Sequence, residues 1–179
     1  MDERPKTTPY SVTTGEEARE RIETLLRQTQ IGVLGLSNGN VPYVVPMNHL
    51  YLPGHLSFHG PITTGKKMEM IKKNPVACYT VMVPIGELKP GMPSCHVEYE
   101  SVICDGRISH VDSVEERVEL INQWRAYYQT EASRPAEEAA KTTGFLKFMI
   151  EEMTLRTGNF HPRGPRPLFI YKFTQTKQG

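Results

Sequence analysis

A mainly β fold with flanking helices is the class this sequence predicts, and three observations predict it. Short runs rich in Val, Ile, Leu, Tyr and Phe recur between clusters of Gly, Pro, Asn and Ser, the punctuation of strands and turns. Ser37-Asn38-Gly39-Asn40 and Pro53-Gly54 are hairpin-type turn signals. Two capping boxes, Thr14-Gly15-Glu16-Glu17 and Ser113-Val114-Glu115-Glu116, mark helix starts outside those runs.

At 179 residues the chain suits one core. We expect an N-terminal arm over 1–13 and a single domain over 14–179. The formal charge of +1 and the lack of basic runs interleaved with aromatics argue against a nucleic-acid groove. Met1-Asp2-Glu3-Arg4-Pro5 is polar and no window reaches transmembrane length, so a soluble, cytoplasmic protein with no membrane partner is expected. Cys78, Cys95 and Cys104 form no Cys-x-x-Cys, which gives neither a disulfide framework nor a zinc knuckle. Cys78 and Cys104, in apolar runs, read as core thiols. The six histidines show no His-x-x-x-His, and the adjacent pair Cys95 and His96 is a weak metal signal. No metal is expected.

In chain order, a helix follows the first capping box with Ala18, Ile22, Leu25 and Leu26 on its apolar face. Ile31 to Leu36 is a strand that turns into another, Val41 to Leu52. Pro42 and Pro46 sit four apart on one side of that second strand; neither donates to a ladder, so it is an edge or bulged strand. Past Pro53-Gly54, His55 to His59 forms a strand ending at Gly60-Pro61, which places His59 where a side chain can reach a cleft. Thr63-Thr64-Gly65 leads into a helix that runs to Asn74-Pro75. Its first turn carries Lys66 and Lys67, beside unpaired N–H groups and a partial positive charge. Either both lysines are simply solvated, or they neutralise a phosphate approached by Thr63, Thr64 and the Gly65 backbone. No Gly-x-x-x-x-Gly-Lys-Ser/Thr pattern implies a nucleoside triphosphate.

Pro75 to Val83 reads as a strand, Pro84 to His96 as an irregular loop and Tyr99 to His110 as a long strand. The second capping box opens a helix with Val114, Val118, Ile121, Trp124 and Tyr128 on its apolar face, widened by Leu120 and Tyr127. Trp124 and the tyrosines are core, or line a partner surface. A further helix is expected near Pro135, capped by Ser133, resuming over Phe145 to Met153. A basic loop, 154–167, then precedes a last strand, Leu168 to Phe173.

The ordered set Gly32-x-Leu34-Gly35-Leu36, Pro42-Tyr43-Val44-Val45-Pro46-Met47-Asn48, Phe58-His59-Gly60, Gly65-Lys66-Lys67-Met68, Asn74-Pro75 and Tyr99-x-Ser101-Val102-Ile103-x-x-Gly106 resembles the nitroimidazole-resistance (Nim) branch of the pyridoxamine 5′-phosphate oxidase-like flavoproteins. It covers about residues 15 to 125. The resemblance implies a split β-barrel that binds FMN at the interface of a homodimer. It also implies that Val45, Pro46, Met47 and Asn48 cradle the flavin, Lys66 and Lys67 take the phosphate, and Phe58, Gly60, Gly65, Tyr99 and Ser101 complete the cofactor site. His59 falls where such proteins carry a histidine beside the flavin, and is the catalytic candidate; an imidazole titrating near 6.5 can supply a proton at neutral pH. On the residues alone, His59 reads first as a turn-stabilising hydrogen bonder and Ser101 as a serine on the solvent face of a strand.

The activity so implied is an FMN-dependent oxidoreductase that passes electrons to a small electron-poor acceptor such as a nitroimidazole. Without Gly-x-Gly-x-x-Gly, a nicotinamide donor would dock only transiently. The alternatives are a haem- or deazaflavin-handling enzyme on the same barrel, a true pyridoxamine 5′-phosphate oxidase, whose Arg-x-His-type signature is missing near the C-terminus, or a non-catalytic ligand-binding module.

Overall fold

β1 (Ile31–Asn38) and β2 (Val41–Asn48) form the hairpin that the Gly39-Asn40 turn predicts, with Ile31 opposite Asn48 and Asn38 opposite Val41. The structure is a computed structural model that describes residues 16–61, 65–84, 99–158 and 168–172. The expected N-terminal arm, the Thr14 cap, Thr63, Thr64, Cys95, His96 and the basic positions His161, Arg163 and Arg166 lie outside the described residues. β2 pairs with β1 alone, at one end of the sheet. That is the place its sequence demands: Pro42 and Pro46 are both exposed and could not donate to a second neighbour.

The expected single strand from Val41 to Leu52 is in fact two. β2 stops at Asn48, and a separate β3 (Leu50–Leu52) pairs with β4 (His55–Pro61) across Pro53-Gly54. The cause is His49 and Leu50, which are consecutive and both buried; a pleated strand sends neighbours to opposite faces, so two buried neighbours need two cores. His49 serves the first: its ring nitrogens lie 2.9 Å from Tyr79 Oη and 2.8 Å from the Leu26 carbonyl. Leu50 enters the second.

After α1 (Glu16–Gln28), the remaining elements are α2 (Lys66–Lys73), β5 (Val76–Pro84), β6 (Tyr99–His110), α3 (Val114–Tyr128), α4 (Ala136–Ala139), β7 (Thr143–Gly158) and β8 (Leu168–Lys172). The eight strands form one antiparallel sheet in the order β2-β1-β5-β6-β7-β4-β3, with β8 on the second half of β7. The sheet curls until its two ends share a core. Tyr43, Val45 and Met47 of β2 pack against the cluster that contains Leu56 and Phe58 of β4, with Ile22, Leu25 and Leu26 of α1 inside it. No hydrogen-bonded ladder joins β2 to β4 among the described residues, which makes this a split barrel.

β7 corrects a second expectation. Phe145 to Met153 is strand, not helix, within one 16-residue strand that takes in 154–158 of the expected basic loop. Leu146, Phe148 and Ile150 are buried in alternation, and so are Met153 and Leu155, but the two sets are out of phase. The reason is a bulge: Asp105 faces Glu152 while Gly106 faces Ile150, leaving Glu151 without a residue opposite it on β6. The extra residue spaces Ile150 and Met153 three apart, which in sequence mimics one helical turn.

The second cluster holds α3 and α4 against the sheet through Leu50, Val111, Leu120, Ile121, Trp124 and Phe145. Ser113 caps α3 as predicted, accepting from the Glu116 N–H at 3.1 Å. The reciprocal half of the box is absent, because the Glu116 carboxylate takes Lys147 Nζ at 2.9 Å. Ser133 does not cap α4, whose N-cap is Pro135 with no side-chain hydrogen bond. Cys104 is buried, as expected, but Cys78 points to the outer face and is only half-buried; burial, with Asp105 opposite, still raises its pKa.

Candidate functional site

The first turn of α2 sits beside β2. Gly65 precedes it at φ +155°, a backbone that residues with a side chain avoid, and no side chain caps the free N–H groups. Lys66 is exposed, with Nζ 5.1 Å from the centroid of the Tyr43 ring. Lys67 is half-buried, its Nζ 3.3 Å from Met47 Sδ. No carboxylate pairs with Lys67 among the described residues, and burial lowers its pKa. A thioether is a weak acceptor, so this ammonium loses hydration without gaining a counter-charge.

A small cavity of about 60 Å³ brings Lys67 together with His59, Gly60, His110, Asp112 and Arg117. Arg117 offers one bond, Nη1 to the Val111 carbonyl at 3.5 Å, while its buried Nε has no hydrogen-bond partner. Two cations against one carboxylate, with an orphaned guanidinium donor, form a site suited to an anion.

His59 also opens onto a second cavity of about 450 Å³, beside Asn48 and the α3 side chains Trp124 and Tyr128. Its ring meets Trp124 edge-on, centroids 4.4 Å apart. Burial, and then the Lys67 charge, lower the His59 pKa. The imidazole is therefore neutral at pH 7 and serves there as a hydrogen-bond donor or acceptor rather than as a store of protons.

The sequence-predicted residues fall into three groups. Asn48, His59, Gly60 and Lys67 share the two cavities, with Met47 touching Lys67 and with Lys66 and Gly65 next to it in the chain. Val45 turns toward the barrel interior and Pro46 outward, while the Phe58 side chain is wholly buried 5.0 Å from the Tyr79 ring, so only its backbone could meet a ligand. Tyr99 and Ser101 stand at the far end of β6 from His110, on the order of 30 Å along an extended strand. Within one chain they do not meet the His59 cavities. Sequence reasoning missed Arg117, Arg125 and Arg134, which show no pattern of their own; Trp124, the lone tryptophan, was visible only as core or surface.

The sequence profile of the family described as Pyridoxamine 5′-phosphate oxidase matches residues 18–157. No curated protein sequence matches. Among solved structures, a candidate 5-nitroimidazole antibiotic resistance protein from Bacteroides thetaiotaomicron VPI-5482 is similar at 25% identity and TM-score 0.66, over 76% of this chain and 82% of that one. An FAD-binding protein from Mesorhizobium loti shares the fold at 22% identity and TM-score 0.58, over 79% and 93% of the two chains. So does an FAD- and haem-binding protein from Mycobacterium smegmatis, at 18% identity and TM-score 0.62, over 88% and 82%. A family match across most of the chain, on the curled antiparallel sheet the motifs imply, makes this chain a member of the pyridoxamine 5′-phosphate oxidase family.

Proposed function

We propose that this chain is an FMN-dependent oxidoreductase acting on a small electron-poor acceptor, with a nitroimidazole as the type case. The observation that carries the reading is Lys67, a half-buried ammonium at an uncapped helix start, with no ion-pair partner among the described residues and a single carboxylate, Asp112, in a cavity it shares with Arg117. An anion there restores the charge balance. Lys66, Lys67 and Arg117 would hold the phosphate, and Val45, Pro46, Met47 and Asn48 the rest of the cofactor. When bound, FMN would supply electron transfer in one- or two-electron steps. His59, neutral and braced on Trp124, would orient the acceptor by a hydrogen bond. The solved Bacteroides protein described for 5-nitroimidazole resistance supports this acceptor class.

The reading includes a homodimer. The outer face of the sheet carries a row, Pro46–Val33–Thr80–Ile103 in register across β2, β1, β5 and β6, flanked by Val44 at 69% and Met82 at 66% exposure. Exposed apolar side chains in such a row would suit a contact between two copies. Ser101, on the same face opposite Met82, would then reach the flavin of a second copy, which its distance from His59 in one chain forbids.

The test is an absorbance spectrum of the purified protein and a titration of its flavin-free form with FMN. Flavin bands and saturable uptake are expected, weakened at least about tenfold by Lys67→Met, the factor one charge-assisted hydrogen bond supplies, with an unchanged melting temperature. A colourless protein that takes up no FMN overturns the assignment; a Soret band would put haem in its place.

A further inference from the structure

The larger cavity has a chemical character that the flavin reading does not use. One wall is aromatic: Trp124 and Tyr128 stack with centroids 5.1 Å apart and planes 12° from parallel. Their polar ends are already engaged, Trp124 Nε1 donating to Ser57 Oγ at 3.1 Å and Tyr128 Oη to the His49 carbonyl at 2.9 Å. What they offer the cavity is ring surface, fixed in orientation.

Arg125, in the last turn of α3, and Arg134, before α4, line the same cavity. They brace each other's segments: Arg125 Nη2 donates to the Arg134 carbonyl at 2.8 Å, and Arg134 Nη2 to Thr142 Oγ1 at 2.9 Å. Both acceptors are neutral, and neither guanidinium has a carboxylate partner among the described residues. Among the described residues, no Asp or Glu lines this cavity. In a chain of formal charge +1, two guanidiniums lining one cavity with an aromatic wall, without a carboxylate partner among the described residues, are a local excess of positive charge. Guanidinium pairs with a planar carboxylate through parallel N–H bonds, and about 450 Å³ is within the range of small-molecule sites.

We propose that this cavity binds a planar aromatic carboxylate, its ring against Trp124 and Tyr128 and its carboxylate on Arg125 and Arg134. As a ligand site it stands on the cavity alone; as the acceptor's site it rests on the flavin reading, since Asn48 and His59 border it. A preferred acceptor would thus be a nitroaromatic acid rather than a neutral nitroaromatic.

Trp124 is the chain's single tryptophan, so its fluorescence reports occupancy directly. 4-Nitrobenzoate and the neutral 4-nitrobenzamide are titrated into flavin-free and FMN-treated protein, with calorimetry as a second measure of affinity. The acid is expected to bind at least about tenfold tighter than the amide, one charge-assisted hydrogen bond's worth. Arg134→Gln, at an exposed position that leaves the core intact, and Arg125→Gln are each expected to erase most of that preference, weakening the acid far more than the amide. Equal affinities for acid and amide, or a preference that survives both substitutions, overturn the proposal. If the protein takes up no FMN yet keeps the preference, the ligand site stands and only its link to electron transfer falls.

Discussion

Lys67 and His59 show how much a single side chain's surroundings decide. The sequence offers two adjacent lysines as equals, but the fold exposes Lys66 and half-buries Lys67, so Lys66→Met is expected to weaken FMN less than Lys67→Met in the same titration. His59→Ala tests the orienting role: the rate of nitro-compound reduction is expected to fall about tenfold, the worth of one orienting hydrogen bond, with FMN still bound. Unchanged turnover would make the imidazole structural. Burial is the first cause of lowered pKa values at His49, His55 and His59 alike. Below their ordinary value, roughly 6.5, the unfolded chain binds protons that the folded chain refuses. Stability present above that pH is therefore lost as pH falls through the depressed folded values. Urea midpoints are expected to decline from pH 7 to pH 5, and His49→Gln, which removes the most buried of the three, to flatten that decline.

Among the elements, β7 depends on one residue of its neighbour. At the bulge, a Cβ on Gly106 would lie 2.0 Å from the Met149 carbonyl oxygen, so no other residue fits without moving backbone. Gly106→Ala is expected to destabilise the protein by about 1–3 kcal/mol or more, read by urea denaturation. A change under about 0.5 kcal/mol would mean that the strands re-register freely. The motif's Gly106 thereby acquires a structural reason. The same bulge explains the misreading of 145–153: Leu, Lys, Met and Glu favour helices, and the phase jump at Glu151 hides the alternation. Pairing with β6 on one side and with β4 and β8 on the other outweighs that local preference.

For the whole molecule, the outer apolar row and the separation of Ser101 from His59 lead to one prediction. Met82→Asp places a charge on that face at an exposed position, where a lone chain would tolerate it. If two copies pack there, the variant is expected to run as a monomer in size-exclusion chromatography and to lose FMN in parallel. A wild-type protein that is monomeric while fully loaded with FMN would remove the dimer, and with it any role for Ser101 in the site.

Much of the architecture was legible because its signals are local. Turn residues at Gly39 and Gly54, prolines at 42 and 46 and the Ser113 cap each act within a few positions of themselves, so the sequence alone determined the hairpins, the edge strand and the start of α3. The ordered motifs likewise specified a split barrel. The tertiary structure alone decided what depends on distant partners: that His49 ends β2, that 145–153 extends as strand, that Lys67 loses its water while Lys66 keeps it, and that Arg117, Arg125 and Arg134 converge near His59. Burial and unpaired charge are properties of the space between elements, and no window of sequence contains that space.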